Sequence, residues 1–294
     1  MGKCLTVIIL IFTIWGSSAK AEELLPANKP LLEKYHEIEY GLKTSSFGLP
    51  VHMESFVDSN SSYVDIYGVV NHPFDIVKNN LKEPSGLCDI LMLTINIRAC
   101  TYHRIENDWL LTAQNVKRYS DPIENAFPIN FKLAVDEQQK QFRISLTANE
   151  GPFSTKDHQF QIEAVPLDEN TTFIHLHYLF GYSFLSYFKI NTYFLLFRQG
   201  KIGFTVANDK QGNPQYVTGL RGSEERNAMR YYLAILAYLD TLGSPMDQRF
   251  ERRLTLWYDL TTKYKKQLFE MKKEDYLSYK RYDEKSRLQL QKLN

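Results

Sequence analysis

His175 and His177 stand two residues apart in an apolar, β-branched stretch, Thr171 to Phe180, that reads as a strand. Residues i and i+2 of a strand share a face, so both imidazoles would point the same way, alongside Phe173 and Leu179. Such a pair can bind a metal, steer an anion or move a proton. A zinc site needs at least a third protein ligand, which His103 or a carboxylate would have to bring from elsewhere; ordinary sheet histidines are the plainer reading.

Arg221, Arg226 and Arg230 surround the expected start of a long apolar helix. Backbone N–H groups and the helix dipole favour an anion there, and Arg226 and Arg230, one turn apart, could share a phosphate or carboxylate. Glu224 and Glu225 are close enough for internal ion pairs to explain the same arginines. The chain carries 19 Tyr and 18 Phe, many of them within Phe173 to Phe197 and Tyr231 to Tyr238. Aromatic rings with a few polar tips suit a hydrophobic ligand cavity, and they equally suit a filled core. The candidate ligand-binding set is therefore His175, His177, Tyr178, Arg221, Arg226, Arg230 and Tyr232. No Gly-x-Ser-x-Gly elbow, phosphate-cradling glycine loop or His-Glu-x-x-His is present, so no catalytic residue, metal ligand or cofactor is assigned.

These side chains need a scaffold, and the periodicities supply one. A short helix around Leu31 to Tyr40 lies in an arm, residues 22–50, expected to pack poorly. Val51 to Val57 and Tyr63 to Val70 read as a hairpin across the turn-rich segment 58–62. Asn71 is a candidate cap for a helix with Phe74, Val77 and Leu81 on one face; Pro84 ends it, and a second helical piece runs from Ser85 to Leu93. Alternation then marks a strand at Ile95 to Cys100, followed by Trp109 to Val116, Asn130 to Val135, Gln141 to Ala148, His158 to Val165 and Thr171 to Phe180. Successive strands without intervening helices imply an antiparallel sheet, free to curl around a bound molecule.

Residues 183–198 tolerate helix or strand and are assigned as helix. Lys201 to Ala207 and Tyr216 to Gly219 read as closing strands. Ser223 is a candidate N-cap for the clearest helix, with Glu224 and Glu225 in its first turn and Gly243 and Pro245 ending it. A helix apolar nearly all round must be buried, most economically across the concave face of the sheet. Another helix starts with Ser244 as cap and Pro245 at its first position and carries one apolar stripe. The polar stretch Glu274 to Leu290 has no evident need to pack.

Hairpin, Asn71-His72-Pro73-Phe74 into a helix pair, antiparallel sheet, and a long helix reached through Gly219-Leu220-Arg221-Gly222: this order resembles the START-like (SRPBCC, polyketide cyclase/lipid-transport) helix-grip superfamily, and within it exported bacterial members. Cys88-Asp89-Ile90, Lys201 to Thr205 and Glu225 to Tyr232 are the local matches. The resemblance spans about residues 50–242 and implies an α+β helix-grip domain, residues 51–243, with a curved antiparallel sheet wrapped around a long C-terminal helix. Additional helices would follow in a basic extension, residues 244–294. Members of the superfamily include lipid carriers, cyclases and plain ligand binders.

The first residues point to export. Lys3, the apolar run Leu5 to Trp15 and Ala19-Lys20-Ala21 have the order of a signal peptide, residues 1–21, cleaved near Ala21 to leave a periplasmic or secreted protein. Cys88 and Cys100 then remain, an even number in an oxidising compartment, and a disulfide between helix and strand follows. Without Lys3 and Lys20 the balance is 33 basic to 34 acidic residues, so no global field points to nucleic acid. Residues 246–294 hold 13 Lys/Arg against 8 Asp/Glu, and peripheral contact with a membrane or protein through 245–294 is the alternative to a solvated face.

The expected function is an exported protein holding a hydrophobic or amphipathic, lipid-like small molecule between sheet and long helix. One alternative is cyclase- or hydrolase-like chemistry in the same cavity using His175 and His177. The other is an envelope interaction protein with a filled core and partner-binding C-terminal helices.

Overall fold

The computed structural model describes residues 30–197, 200–209 and 211–293. The expected signal, residues 1–21, and the first part of the arm lie outside the described residues. Helix α1 (Leu31–Lys43) precedes a hairpin of β1 (Val51–Val57) and β2 (Ser61–Val70). Helices α2 (Phe74–Leu81) and α3 (Pro84–Leu93) lead into six strands: β3 (Ile97–Ile105), β4 (Asp108–Asn115), β5 (Phe127–Gln138), β6 (Gln141–Gly151), β7 (Thr155–Pro166) and β8 (Thr172–Gly181). Helix α4 (Phe184–Phe197), the short strands β9 (Val206–Asn208) and β10 (Pro214–Tyr216), and helices α5 (Gly219–Asp240), α6 (Met246–Thr262), α7 (Lys265–Leu268) and α8 (Lys273–Gln291) complete the chain.

The eight long strands form one curved antiparallel sheet in the order β1-β2-β8-β7-β6-β5-β4-β3. The alternation seen in the sequence sorts its two faces. Val64, Ile66, Ile144, Leu146, Phe160, Ile162, Ile174 and Leu176 share one core with Ala228, Met229, Leu233 and Ile235 of α5. The long helix is therefore gripped by the concave face, and the architecture is α+β helix-grip. On the convex face α1 buries Leu31, Ile38 and Leu42 against Val165 and Phe173. The arm is thus packed from Leu31 onward, contrary to expectation, because its apolar residues return at helical spacing.

Four local expectations need correction. Helix α2 begins after Pro73 with no side-chain cap, so Asn71 does not cap it. Pro245 occupies the N-cap position of α6, one residue later than expected. Helix α5 starts at Gly219, whose φ of 61° turns the chain into the first helical turn. Ser223, Glu224 and Glu225 thereby move into the helix body, where the two carboxylates are buried. Residues 201–219 are not closing strands of the main sheet. Among the described residues only the separate β9–β10 ribbon forms there, and Glu225 Oε2 instead accepts the backbone N–H groups of Phe204 and Thr205 at 2.6 and 2.9 Å.

The C-terminal extension also packs. Asp283 on α8 accepts from Arg98 Nε on β3 at 2.6 Å and lies 3.3 Å from Lys280 Nζ. Lys280 Nζ donates to the Ile97 carbonyl at 2.7 Å, and Tyr276 OH to that of Leu93 at 2.8 Å. The side-chain amide of Gln291 takes both the N–H and the carbonyl of Tyr102 on β3, at 3.0 and 2.7 Å. A polar composition concealed a helix that buries charge against charge. Much of the surface charge is also paired internally, Arg281 with Glu251 and Arg287 with Glu284. Among the described residues no helix is long and apolar enough to cross a membrane.

Cys88 on α3 and Cys100 on β3 form a disulfide with Cα atoms 5.2 Å apart, and both are fully buried. The bridge closes a separation of 12 residues, for which chain-entropy loss in the unfolded state predicts about 3 kcal/mol of stabilisation. Urea unfolding of the Cys88→Ser/Cys100→Ser double variant should show a loss of that size. A midpoint equal to that of the oxidised protein would show that the bridge contributes nothing.

Candidate functional site

A cavity of about 170 Å³ lies between the concave face and the first half of α5. One water needs roughly 10–15 Å³ of such space, and a cavity of about 150 Å³ holds a single benzene-sized ring. The core is therefore not filled, contrary to the interaction-protein alternative. Phe160, Tyr178 and Phe180 form an aromatic wall, and Glu224, Asn227 and Tyr231 project from α5 on the facing side. Tyr231 meets Phe160 edge-on at 5.2 Å and Tyr178 at 6.1 Å.

Glu224 is the exceptional group in this cavity. It is 5% exposed, and its Oε2 finds no hydrogen-bond partner among the described residues. Burial pushes its carboxyl up to about 7, against the pull of the Arg226 charge and the Asn227 hydrogen bond. Burial likewise raises the Tyr231 hydroxyl to about 12 and holds that of Tyr178 well above its ordinary range. Both phenols therefore remain protonated donors at neutral pH.

His158 lines the opposite side of the cavity, stacked on Phe180 at 5.3 Å. Thr155 Oγ1 donates its single proton to the Pro152 carbonyl at 2.6 Å, so the 2.9 Å contact with His158 requires the imidazole Nε2–H to be the donor. Burial lowers the His158 pKa to about 4, and the ring is neutral at pH 7.

The expected residues separate. Arg226, Arg230 and Tyr178 line the cavity. Arg226 donates to the Ile202 carbonyl at 3.0 Å, while Arg230 pairs with Glu270 at 2.9 Å and reaches Asn227 at 3.3 Å. Arg221 lies elsewhere, donating to Ser55 on β1 at 2.8 Å. Tyr232 is buried against the backbone of Gly68 on β2, where a Cβ would collide with the phenol. His175 and His177 alternate with the inward-facing Ile174, Leu176 and Tyr178 and so face the convex side. They cannot serve an enzyme working in this cavity. Glu224 and His158 were missed: the first reads as a dipole partner when Ser223 is taken as the cap, and a lone histidine opening a strand gives no signal.

On the convex face Asp65 Oδ1 accepts from His175 Nε2 and His177 Nδ1, each at 2.7 Å. Glu163 Oε2 lies 3.1 Å from His175 Nδ1, and Arg143 holds Glu163 through a contact of 2.5 Å. Burial alone would lower the His175 pKa and raise that of Asp65; their mutual hydrogen bonds, with Glu163 and His177 contributing, reverse both directions.

No known protein-family model and no curated protein matches this chain. Similar solved structures include a truncated norcoclaurine synthase from Thalictrum flavum, at 11% identity and TM-score 0.34 over 47% of this chain and 86% of that one. The Zhui aromatase/cyclase from a Streptomyces species is similar at 12% identity and TM-score 0.30 over 73% and 95%. A protein from Arthrobacter aurescens matches at 12% identity and TM-score 0.36 over 65% and 92%. At such identities the likeness is one of backbone arrangement, and the function proposed below stands on the cavity's own residues.

The pH dependence of Glu224 gives a direct check. A carboxyl raised from 4.5 to about 7 in the folded state ionises first in the unfolded chain, so stability is intact below about pH 4.5 and falls as pH rises towards 7. Urea midpoints across this range should decline less in Glu224→Gln than in the parent protein. Parallel profiles would show that Glu224 is not a buried acid.

Proposed function

We propose that this is an exported binding protein for a compact amphipathic molecule, or for the end of a larger lipid-like one. The observation that carries this reading is a cavity with one aromatic wall and one buried polar end at Glu224. An apolar body fits against Phe160, Tyr178 and Phe180, where burial contributes about 25 cal/mol per Å². At the other end Glu224, when protonated, offers a hydrogen bond to a carbonyl or hydroxyl oxygen; when ionised, it accepts one from a hydroxyl or amine. Tyr231 and Asn227 stand beside it. Arg226 and Arg230 bias this end towards electron-rich groups without being free counter-ions. The size of the space favours one or two rings, or a short stretch of chain, over a fully enclosed long-chain lipid. Export is supported by the signal-like order of residues 1–21 and by a fully buried disulfide that requires an oxidising compartment to form.

The test is native mass spectrometry of the full chain purified without detergent, with denaturing extraction of anything that travels with it, and in parallel a titration with the two-ring fluorescent dye 1-naphthol. One bound molecule per chain is expected, with the dye displaced by the extracted compound. Ala113→Leu, which adds volume to the cavity wall, should weaken the dye at least tenfold while the protein stays folded. Saturable binding unaffected by Ala113→Leu would move the site elsewhere, and a ligand-free mass without dye binding would remove the reading.

A further inference from the structure

The convex face carries a second constellation that the cavity does not use. Asp65, His175 and His177 bring three ligand atoms within 4.8 Å of one another. We propose that these three residues form a divalent transition-metal site of the zinc type, on the opposite side of the sheet from the cavity and independent of its occupant.

The placement is rigid. Asp65 pairs directly with His177 across β2 and β8, and His175 follows on the same face two residues before. All three side chains therefore rise from adjacent strands of the sheet interior, not from a loop. Two imidazole nitrogens and one carboxylate oxygen are a donor set that zinc accepts at about 2.0–2.2 Å, with its fourth position left to water. Asp65 Oδ1 already stands 2.7 Å from His175 Nε2 and 2.7 Å from His177 Nδ1, so an ion can enter with small shifts of side chains.

The surroundings match what a metal-bound histidine needs. Glu163 faces His175 Nδ1 at 3.1 Å and is itself held by Arg143. A carboxylate on the far nitrogen fixes the ring and directs the other nitrogen to the metal, as in carboxylate–histidine–zinc arrangements. Tyr67 stacks on the His175 ring at 4.4 Å and 7°, which holds its plane. His177 Nε2, buried, has no hydrogen-bond partner among the described residues, so hydrogen bonding to the protein does not explain that ring's full orientation. The side chain of His175 is 13% exposed, leaving an entry for an ion and a water from the convex side.

The experiment is titration of the chelator-treated full chain with Zn²⁺ by calorimetry, with Co²⁺ absorption to report nitrogen and oxygen ligation. One equivalent should bind. Asp65→Asn and His177→Gln should each weaken binding at least tenfold, and Glu163→Gln, which alters only the outer partner, by about 10–100-fold. His158→Gln, on the cavity side, should change nothing. Long-range ¹H–¹⁵N spectra of the unmodified protein keep the test decisive if a variant fails to fold: Zn²⁺ should shift the ring signals of His175 and His177. Absence of stoichiometric binding, or binding unchanged in both Asp65→Asn and His177→Gln, would overturn the site, as would Zn²⁺ shifts confined to other histidines.

Discussion

Replacing Asp283 by alanine is expected to destabilise the protein by about 3–5 kcal/mol, the range for removing one partner of a buried ion pair. Asp283 is 1% exposed and serves two cations, Arg98 and Lys280, which are 6% and 2% exposed. Arg98 also donates to the carbonyls of Tyr119 and Asp121, at 3.2 and 2.6 Å. Those bonds satisfy donors but do not neutralise the charge. Lys280 has one escape. Burial already lowers its pKa to about 8 against the raising influence of Asp283, so in the variant it can shed its proton. Arg98 cannot, because a guanidinium keeps its proton in proteins. Asp283→Ala should therefore resemble the loss of one buried counter-ion rather than two, and Lys280→Met should partly rescue it. Urea unfolding of the two variants measures both effects; a loss below about 1 kcal/mol, the scale of a surface pair, would show that α8 does not bury this network.

The second large effect is expected at Glu225. Its side chain is fully buried and accepts from the backbone N–H groups of Phe204 and Thr205 and from Ser55 Oγ on β1. Alanine would strand these donors away from water. At about 1–3 kcal/mol for each buried donor left unpaired, with some rehydrated, a total near 3–4 kcal/mol follows. Glutamine keeps one acceptor oxygen and should lose less. Hydrogen exchange locates the effect: the Phe204 and Thr205 amides should lose protection in Glu225→Ala before the central strands do. Unchanged protection at those two amides would show that the carboxylate is not their anchor.

The parts of the fold that were readable are those where one residue pattern has one physical solution. Alternating strands without helices between them, and a helix apolar nearly all round, leave little choice but a sheet gripping a helix. The two cysteines left after the expected signal similarly point to each other. Reading failed where a polar residue could face either way. Glu225 near a helix start looks like a dipole partner, and only the tertiary fold shows it turned inward to the 203–205 backbone. Lys280 and Asp283 look like solvated charges until Arg98, at the buried start of β3, is placed opposite them. The site divides on the same principle. Tyr178, Arg226 and Arg230 reach the cavity as their aromatic and basic character suggested, whereas strand parity sends His175 and His177 to the other face. Parity is visible in the sequence; which parity faces the helix depends on Ile174 and Leu176 outcompeting the histidines for the core. Asp65, sitting between Val64 and Ile66, was the available sign of a polar counterpart, but its register with His177 was not.

The grip of Gln291 on Tyr102 bears on how the molecule behaves in company. Strand β3 is an outer strand of the sheet, and such strands are templates onto which another chain can add, the first step of edge-to-edge aggregation. By taking one N–H and one carbonyl from β3, the glutamine amide imitates a short piece of neighbouring strand, and Lys280 and Asp283 of α8 hold the strand's start at Ile97 and Arg98. The last turn of α8 thus covers part of an edge: ending the chain before Gln291 is expected to leave the cavity lining in place and to raise self-association, which sedimentation velocity would detect.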